Sequence, residues 1–132
     1  MNYNAKIIIV DDHAWFREGI KLLIEMEGLG EVIAEAENGQ VFLDMLVKLN
    51  PDLVLMDIEM PLMNGLEATQ KAMAIRPELK FLVLTMTNLK VNYSFMIKAG
   101  VMGIVLKSAG KQVLEKAIKT LIGGESYFSD EH

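Results

Sequence analysis

Apolar residues in this chain fall into short uninterrupted runs that alternate with longer segments of helical periodicity. Five runs are predicted to be strands, over residues 6–10, 31–36, 52–56, 80–85 and 103–107. Hydrophobicity within most of these runs is continuous rather than alternating, which is typical of strands buried on both faces of a parallel sheet.

Apolar residues at helical spacing predict five helices between and after these strands. The residues that mark them are Phe16, Ile20, Leu23 and Ile24; Val41, Met45 and Leu46; Leu66, Thr69, Met73 and Ala74; Val91, Phe95, Met96 and Ala99; and Val113, Leu114, Ala117, Ile118 and Leu121. Asn64 is predicted to cap the third helix, and Gly123–Gly124 to end the fifth. Five strand–helix units in strict alternation predict an α/β domain with right-handed crossovers.

Composition narrows the class of protein. The 132 residues suit one domain, and the absence of cysteine excludes a disulfide framework and a cysteine metal site. The net charge of −5 argues against nucleic-acid binding by this chain itself. No apolar run approaches the roughly 20 residues of a membrane span, and the N-terminus lacks the pattern of a signal peptide. A cytoplasmic protein is the simplest interpretation.

Polar residues stand at the carboxyl ends of four predicted strands. Asp11 and Asp12 follow the first strand, Asp57 the third, Thr85 ends the fourth and Lys107 the fifth. In an open parallel sheet, ligands bind beyond the carboxyl ends of the strands, so these side chains are expected to converge there. Two carboxylates about 4 Å apart repel by about 4 kcal/mol at an effective dielectric constant near 20, so a proton or a cation must relieve the charge.

Such a set of groups suits phosphoryl transfer. A hard divalent cation such as Mg²⁺ accepts carboxylate and water ligands in an open site. A metal ion, an ammonium and a hydroxyl together stabilise the oxygens of a phosphoryl group during in-line transfer. A carboxylate can also act as the nucleophile that takes the phosphoryl group.

The segments "IIIVDDH", "LVLMDIEMPLMNG", "LVLTM" and "GIVLKS" resemble the receiver domain of two-component response regulators, and the match runs from about Lys6 to Gly124. The "VDDH" start and the "GGESYF" end are similar to receivers of the NarL/LuxR-like class. The resemblance implies a flavodoxin-like (βα)5 fold with a doubly wound five-stranded parallel sheet in the order 2-1-3-4-5. We expect the receiver domain over residues 1–125, with residues 126–132 as the start of a linker or a C-terminal tail.

The resemblance also implies a role for each residue at the strand ends. Asp57 matches the phosphoacceptor, Thr85 the switch hydroxyl, and Lys107 the lysine that pairs with the phosphate. The Mg²⁺ ligands that it implies are Asp11, Asp12, Asp57 and the backbone carbonyl of Glu59.

The function implied is a phosphorylation switch rather than an enzyme acting on other molecules. A sensor histidine kinase would donate the phosphoryl group, and the output would be transcription through a helix-turn-helix DNA-binding domain that this chain lacks. Phosphorylation-dependent homodimerisation is a further expectation, and no membrane partner is expected. The alternatives are a stand-alone receiver that acts through protein–protein contacts, or a phosphatase of the haloacid-dehalogenase type. The latter requires a D-x-D-x-T/V segment after the first strand, where this chain has "DDHAW".

Several of these residues also have simpler interpretations. Asp12 is a candidate cap for the first helix, a use compatible with metal binding because both need an accessible carboxylate. His13 is expected to be a surface residue, and Trp15 is expected near the strand ends. The ten methionines are interpreted as core filling.

The chain departs from the common receiver pattern at Ile104, where many receivers have an aromatic residue whose rotamer follows the switch hydroxyl. Ile104 is β-branched and has no ring to move. We therefore expect switching to act through the loop "TMTNLK" and the fourth helix, with repacking of Met86, Val91 and Phe95. Ser108 follows Lys107 in place of proline, so no cis peptide is expected there.

Overall fold

Strands and helices alternate along the chain as predicted. The computed structural model describes residues 5–86 and 90–128, apart from the side chains of residues 90–92. The elements are β1 (Lys6–Val10), α1 (Ala14–Met26), β2 (Glu31–Ala36), α2 (Gly39–Leu46), β3 (Leu53–Asp57), α3 (Gly65–Ile75), β4 (Lys80–Thr85), α4 (Lys90–Lys98), β5 (Gly103–Leu106), a 3₁₀ turn (Lys107–Ala109), α5 (Lys111–Ile122) and β6 (Tyr127–Phe128). None of the described helices is both long and apolar enough to cross a membrane.

The strands form one parallel sheet in the order β2-β1-β3-β4-β5-β6. The predicted order of the first five strands is confirmed. The sixth strand is an addition, in which Tyr127 pairs with Gly103 and Phe128 with Ile104. Two residues carry too little periodicity to predict a strand, so this edge of the sheet comes from pairing with β5 and not from a local pattern.

Both faces of the sheet are covered, which explains the continuous apolar runs. Alternate residues of β1 illustrate this: Ile8 packs on the face that contains Phe42 and Phe81, while Ile7 and Ile9 pack on the opposite face. The first face is closed by residues of α2, α3 and α4, and the second by residues of α1 and α5. Because side chains alternate between the faces of a strand, a strand covered on both sides must be apolar throughout.

The helix ends follow the predictions in α3 and α5. Asn64 caps α3, and its side chain accepts a hydrogen bond of 2.8 Å from the backbone N–H of Glu67. Gly123 follows the last residue of α5. The first helix differs, because its N-cap residue is His13 and that side chain makes no capping hydrogen bond. Asp12 therefore does not serve as the cap of α1, which leaves its carboxylate available for other contacts.

The apolar face of α4 differs from the prediction. Tyr93 and Met96 are buried, whereas Phe95, predicted to face the core, is 65% exposed. The spacing of residues alone could not decide which face of α4 is buried, because apolar and aromatic residues occur on more than one side of this short helix. Residues 87–89 of the predicted switch loop and the side chain of Val91 lie outside the described residues.

The loop between β3 and α3 returns very close to the strand that it leaves. The backbone N–H of Gly65 donates a 2.8 Å hydrogen bond to the carbonyl of Ile58. A Cβ atom on Gly65 would lie only 2.0 Å from the carbonyl oxygen of Asp57. Only glycine allows this approach, so Gly65 fixes the path of the backbone beside Asp57.

We predict that Gly65→Ala destabilises the fold by about 2 kcal/mol or more, because the methyl group meets backbone that cannot move aside. Gly19→Ala is the matched control: Gly19 lies within α1, and an added Cβ has no neighbour within 4 Å. That substitution should stabilise the protein by about 0.5–1 kcal/mol through helix propensity. Urea denaturation of both variants measures the difference, and equal stability of Gly65→Ala and the unsubstituted protein would contradict the prediction.

Candidate functional site

Polar side chains lie at the carboxyl ends of four strands, on the same side of the sheet. Asp11 directly follows β1, Asp57 ends β3, Thr85 ends β4 and Lys107 follows β5. The register keeps these ends level, since Asp57 pairs with Leu84 and Thr85 with Leu106. Asp11, Asp57 and Thr85 are all buried. The structure thus brings together the residues that the sequence predicted at this edge.

Lys107 holds the two buried carboxylates. Its Nζ lies 2.7 Å from Asp11 Oδ2 and 3.4 Å from Asp57 Oδ2, and its side chain is only 9% exposed. The same ammonium lies 4.4 Å from the centroid of the Phe16 ring, a cation–π contact. An ammonium confined in this way is a fixed positive charge, in contrast to a mobile surface lysine.

Asp12 and His13 complete the cluster on another side of Asp11. The Nδ1 atom of His13 lies 3.3 Å from Asp11 Oδ1 and 3.3 Å from Asp12 Oδ1. The backbone N–H of His13 also donates a 2.8 Å hydrogen bond to Asp11 Oδ1. His13 is half exposed, as predicted, but its contact with both acids was missed. The signal was its position immediately after two acids at a strand end.

The carboxyl group of Asp57 has a raised pKa. Its pKa is raised from 3.8 to about 6, mainly because burial disfavours the carboxylate and further because Asp11 repels it. Lys107 and the backbone N–H of Glu59, 3.3 Å from Asp57 Oδ1, lower the pKa but do not offset the first two effects. A positive charge placed beside Asp57 would therefore stabilise its ionised form.

The acidic cluster has the donors that a hard divalent cation needs. One ligand atom from each of Asp11, Asp12, His13 and Asp57 lies within 4.8 Å of the others. Three carboxylate oxygens of the cluster are buried. Lys107 Nζ lies 2.7 Å from Asp11 Oδ2 and 3.4 Å from Asp57 Oδ2, and His13 Nδ1 lies 3.3 Å from Asp12 Oδ1. Lys107 offsets only part of the negative charge of these carboxylates, so the remaining charge and the oxygen donors fit a cation such as Mg²⁺. The side chain of Glu59 is exposed, which leaves its backbone as the part that faces Asp57.

Arg17 supports this site from α1 and was not identified from the sequence. Its Nη1 donates a hydrogen bond to the backbone carbonyl of Asp11, and its Nε donates one of 2.9 Å to Glu35 of β2. The guanidinium therefore ties the turn after β1 to the neighbouring strand. Nothing in the spacing of the chain distinguished Arg17 from an ordinary exposed residue of a helix.

Ile104 and Thr85 lie on neighbouring strands. Ile104 is fully buried in β5 and pairs with Val83, while Thr85 is buried at the end of β4. Met86, the next residue, is exposed. The side chain at the position where many receivers carry an aromatic residue is thus fully buried in the core.

The sequence matches the response regulator receiver domain over residues 7–119. Among curated proteins, the transcriptional regulatory protein DegU of Brevibacillus brevis is 38% identical over 122 residues, which are 92% of this chain and 52% of DegU. The chain thus spans about half the length of this relative.

Solved structures agree with this match. A LuxR-family two-component response regulator from Aurantimonas sp. SI85-9A1 has a TM-score of 0.92 and 31% identity, covering 97% of this chain and 91% of that one. A structure of two RcsB dimers bound to two parallel DNAs has a TM-score of 0.88 and 28% identity, covering 97% of this chain and 65% of that one. The relatives confirm the NarL/LuxR-like resemblance, and the chain belongs to the family of response regulator receiver domains.

Proposed function

We propose that the chain is a phosphorylation switch in which Asp57 accepts a phosphoryl group from a sensor histidine kinase. A carboxylate oxygen of Asp57 forms the new bond to phosphorus, the bond between phosphorus and the donor histidine nitrogen breaks, and the electron pair of that bond stays on the nitrogen. The carrying observation is the buried contact of Asp57 and Asp11 with Lys107 at the sheet edge. The activity is confined to the chain's own phosphorylation and dephosphorylation.

Lys107 and Thr85 have distinct roles in this proposal. Lys107 already contacts Asp57 Oδ2, so its ammonium is placed to pair with an oxygen of a phosphoryl group carried by Asp57. Thr85 ends the adjacent strand β4, and its hydroxyl is a donor for another phosphoryl oxygen. The contacts of Lys107 and Thr85 with phosphoryl oxygens would form only in the phosphorylated state. Phosphorylation would thereby favour one of two conformations of the surface around the site.

Asp11, Asp12, Asp57 and the backbone carbonyl of Glu59 are the proposed holders of Mg²⁺. The ion supplies positive charge that offsets the carboxylates and the incoming phosphoryl oxygens. The protein's own part is to direct a carboxylate oxygen of Asp57 at the donor, with Lys107 and the Glu59 N–H favouring the ionised form. The hydrogen bond from the Glu59 N–H to Asp57 Oδ1 supports that orientation.

The proposed output is transcription, through a helix-turn-helix domain that would follow a receiver domain of residues 1–125 and a linker beginning at residues 126–132. Support comes from the transcriptional regulatory role named for DegU, of which this chain corresponds to about half. A stand-alone receiver acting through protein contacts is the alternative. A phosphatase of the haloacid-dehalogenase type has no support in the family match.

A homodimer that forms on phosphorylation is proposed as the state that acts on DNA. A groove between α1 and α5 is lined by Leu22, Met26 and Leu114, and the first two are exposed apolar side chains. Exposed apolar groups of this kind favour a protein–protein contact. The similar RcsB protein binds DNA as dimers, which supports the same assembly for a longer protein containing this chain.

Signal transmission is proposed to bypass Ile104. Movement of Thr85 would be passed to Met86, which is exposed and unbranched, and then to the start of α4. The exposed Phe95 of α4 lines a pocket together with Asp12 and Glu59, so this helix borders the site directly. Ile104 is fully buried and β-branched, so it has few rotamers and no ring that could move between a buried and an exposed position.

We predict that Asp57 is the single phosphorylation site. With a small phosphodonor and Mg²⁺, the intact mass of the protein should increase by one phosphoryl group. Asp57→Asn should abolish this gain, whereas Asp44→Asn, at an exposed carboxylate of α2, should leave it unchanged. Phosphorylation of Asp57→Asn at the rate of the unsubstituted protein would refute the assignment.

We predict that Asp12→Ala lowers the affinity for Mg²⁺ by about tenfold or more, because it removes a charged oxygen ligand. Glu59→Ala is the matched control: it removes an exposed carboxylate two residues from Asp57 but keeps the backbone carbonyl. Its affinity should stay near that of the unsubstituted protein. Calorimetric titration with MgCl₂ measures both, and equal affinities of all three proteins would remove Asp12 from the site.

We predict that Asp57→Asn is more stable than the unsubstituted protein at neutral pH without metal. Because the folded-state pKa of Asp57 is about 6 and the ordinary value is 3.8, the protonated group's stabilising effect is complete below pH 3.8. It is lost as the pH rises through 6. The difference corresponds to about 3 kcal/mol at pH 7.5 as an upper limit, and a neutral asparagine at this position does not incur this loss.

Denaturant unfolding at pH 7.5 and at pH 5 checks this prediction. The stability advantage of Asp57→Asn should narrow at the lower pH, and saturating MgCl₂ should narrow it at pH 7.5 because only the carboxylate binds the ion strongly. An advantage that is the same at both pH values would show that burial of the Asp57 charge is not its cause.

A further inference from the structure

The backbone carbonyl of Asp11 is held by a side chain from outside the acidic cluster. Arg17 Nη1 donates a 2.5 Å hydrogen bond to that oxygen, and Arg17 Nε donates one of 2.9 Å to Glu35 Oε1 in β2. We propose that Arg17 is a positioning residue for phosphoryl transfer: it fixes the peptide between Asp11 and Asp12 and thereby the relative placement of their carboxylates. This inference rests on the proposed function, because it assigns Arg17 a part in the same reaction.

The backbone of Asp11 is fixed on both sides of its Cα atom. Its N–H donates a 3.0 Å hydrogen bond to the carbonyl of Ala36 at the end of β2, and its own carbonyl accepts the hydrogen bond from Arg17. Each peptide unit is planar, so these two hydrogen bonds together constrain the φ and ψ angles of Asp11. The direction of the Asp11 side chain and the position of Asp12 follow from those angles.

The place of Arg17 in α1 indicates a tertiary role. It is the fourth residue of the helix, near the N-terminus, where a positive charge opposes the helix dipole. Its side chain is only 16% exposed, and it is directed at Asp11 and Glu35. A guanidinium donates to two acceptors in a fixed fork, so it can join the turn after β1 to strand β2 as one rigid unit. The stability of α1 alone would not favour an arginine at this position.

Arg17 and Lys107 act on Asp11 in different ways. Lys107 Nζ lies 2.7 Å from Asp11 Oδ2 and offsets negative charge directly. The charge of Arg17 is paired with Glu35, and its hydrogen bond to Asp11 is made to the backbone. Loss of Arg17 should therefore disturb the geometry of the carboxylates more than their charge. Part of the free energy of Mg²⁺ binding would then be spent on ordering the turn, so the affinity for the ion would fall.

Arg17→Met is the informative variant, because methionine keeps an apolar stem and removes every hydrogen-bond donor of the side chain. Arg76→Met is the matched control. Arg76 is also partly buried and also donates to backbone carbonyls, those of Leu46 and Leu49. It follows the 11 residues of α3, about 16 Å along that helix from the end beside Asp57. Both variants should lose similar stability in urea, so a difference between them in phosphorylation or Mg²⁺ binding reports on the site.

Phosphorylation by a small phosphodonor, followed by intact mass over a series of MgCl₂ concentrations, tests the proposal on the full chain. For Arg17→Met, the Mg²⁺ concentration that gives half of the maximal rate should rise about tenfold, while the rate at saturating Mg²⁺ should change by less than about threefold. Calorimetric titration with MgCl₂ alone should show the same tenfold loss of affinity. Arg76→Met should change neither quantity.

The amide resonances of residues 11–13 give a readout that requires neither metal nor phosphodonor. In metal-free protein they should shift or broaden in Arg17→Met, because the peptide after Asp11 is released, and they should keep their positions in Arg76→Met. Glu35→Ala removes the other end of the bridge and should change the Mg²⁺ affinity in the same direction as Arg17→Met. It also tests the proposal if Arg17→Met does not fold. Lys21→Met is its control, since Lys21 Nζ lies 3.9 Å from Glu35 Oε2.

Arg17→Lys separates geometry from charge. Lysine keeps the positive charge but lacks the planar fork, so this variant should resemble Arg17→Met and not the unsubstituted protein. An Mg²⁺ affinity equal to that of the unsubstituted protein in Arg17→Lys would overturn positioning by the bridge. Equal losses of affinity in Arg17→Met and Arg76→Met would also overturn it, because general destabilisation would then be the cause.

Failure of the proposed function is distinguishable from failure of this inference. If the unsubstituted protein binds Mg²⁺ but accepts no phosphoryl group, the proposed function is wrong, and the calorimetric comparison of Arg17→Met with Arg76→Met still decides whether Arg17 positions the two carboxylates. If the unsubstituted protein binds no Mg²⁺ and accepts no phosphoryl group, both are overturned.

Discussion

The ion pair between Lys107 and the buried carboxylates is the interaction on which the rest of the site depends. Two carboxylates and one ammonium share a largely desolvated edge of the sheet, so negative charge remains in excess. Burying charge is costly unless it is paired, and here the pairing is incomplete. The raised pKa of Asp57 expresses this deficit. A site that lacks positive charge would be stabilised by a cation, so the proposed metal binding and the proposed phosphoryl transfer would depend on the same electrostatic arrangement.

The fold keeps that arrangement in place through backbone constraints. Parallel strands bring Asp57 and Thr85 to the same edge, and the register between β3, β4 and β5 fixes their relative height. The loop after Asp57 then turns back so closely that Gly65 cannot carry a side chain, and Asn64 begins α3 at that point. Arg17 fixes the turn that carries Asp11. Mobility is therefore expected in the side chains around the site more than in the strands beneath it.

The sequence was sufficient wherever burial dictated residue type. Strands covered on both faces must be apolar throughout, and this requirement made β1, β3 and β4 readable along with the residues at their ends. It was insufficient where a contact depends on tertiary placement. The exposure of Phe95, the pairing of Tyr127 with Gly103 and the hydrogen bonds of Arg17 each depend on neighbours distant in the chain. No local periodicity encodes such neighbours, so these features appear only in three dimensions.

Asp11 divides the site into two halves because its two oxygens have different partners. Oδ2 faces the ammonium of Lys107, and Oδ1 faces His13. The Lys107 half adjoins Asp57, where charge would increase on phosphorylation, whereas the His13 half adjoins Asp12 and the more exposed side of the site. One carboxylate thus lies between the Lys107–Asp57 pair and the His13–Asp12 pair. Because Asp11 and Asp57 are both buried, solvent screens the repulsion between their carboxylates little.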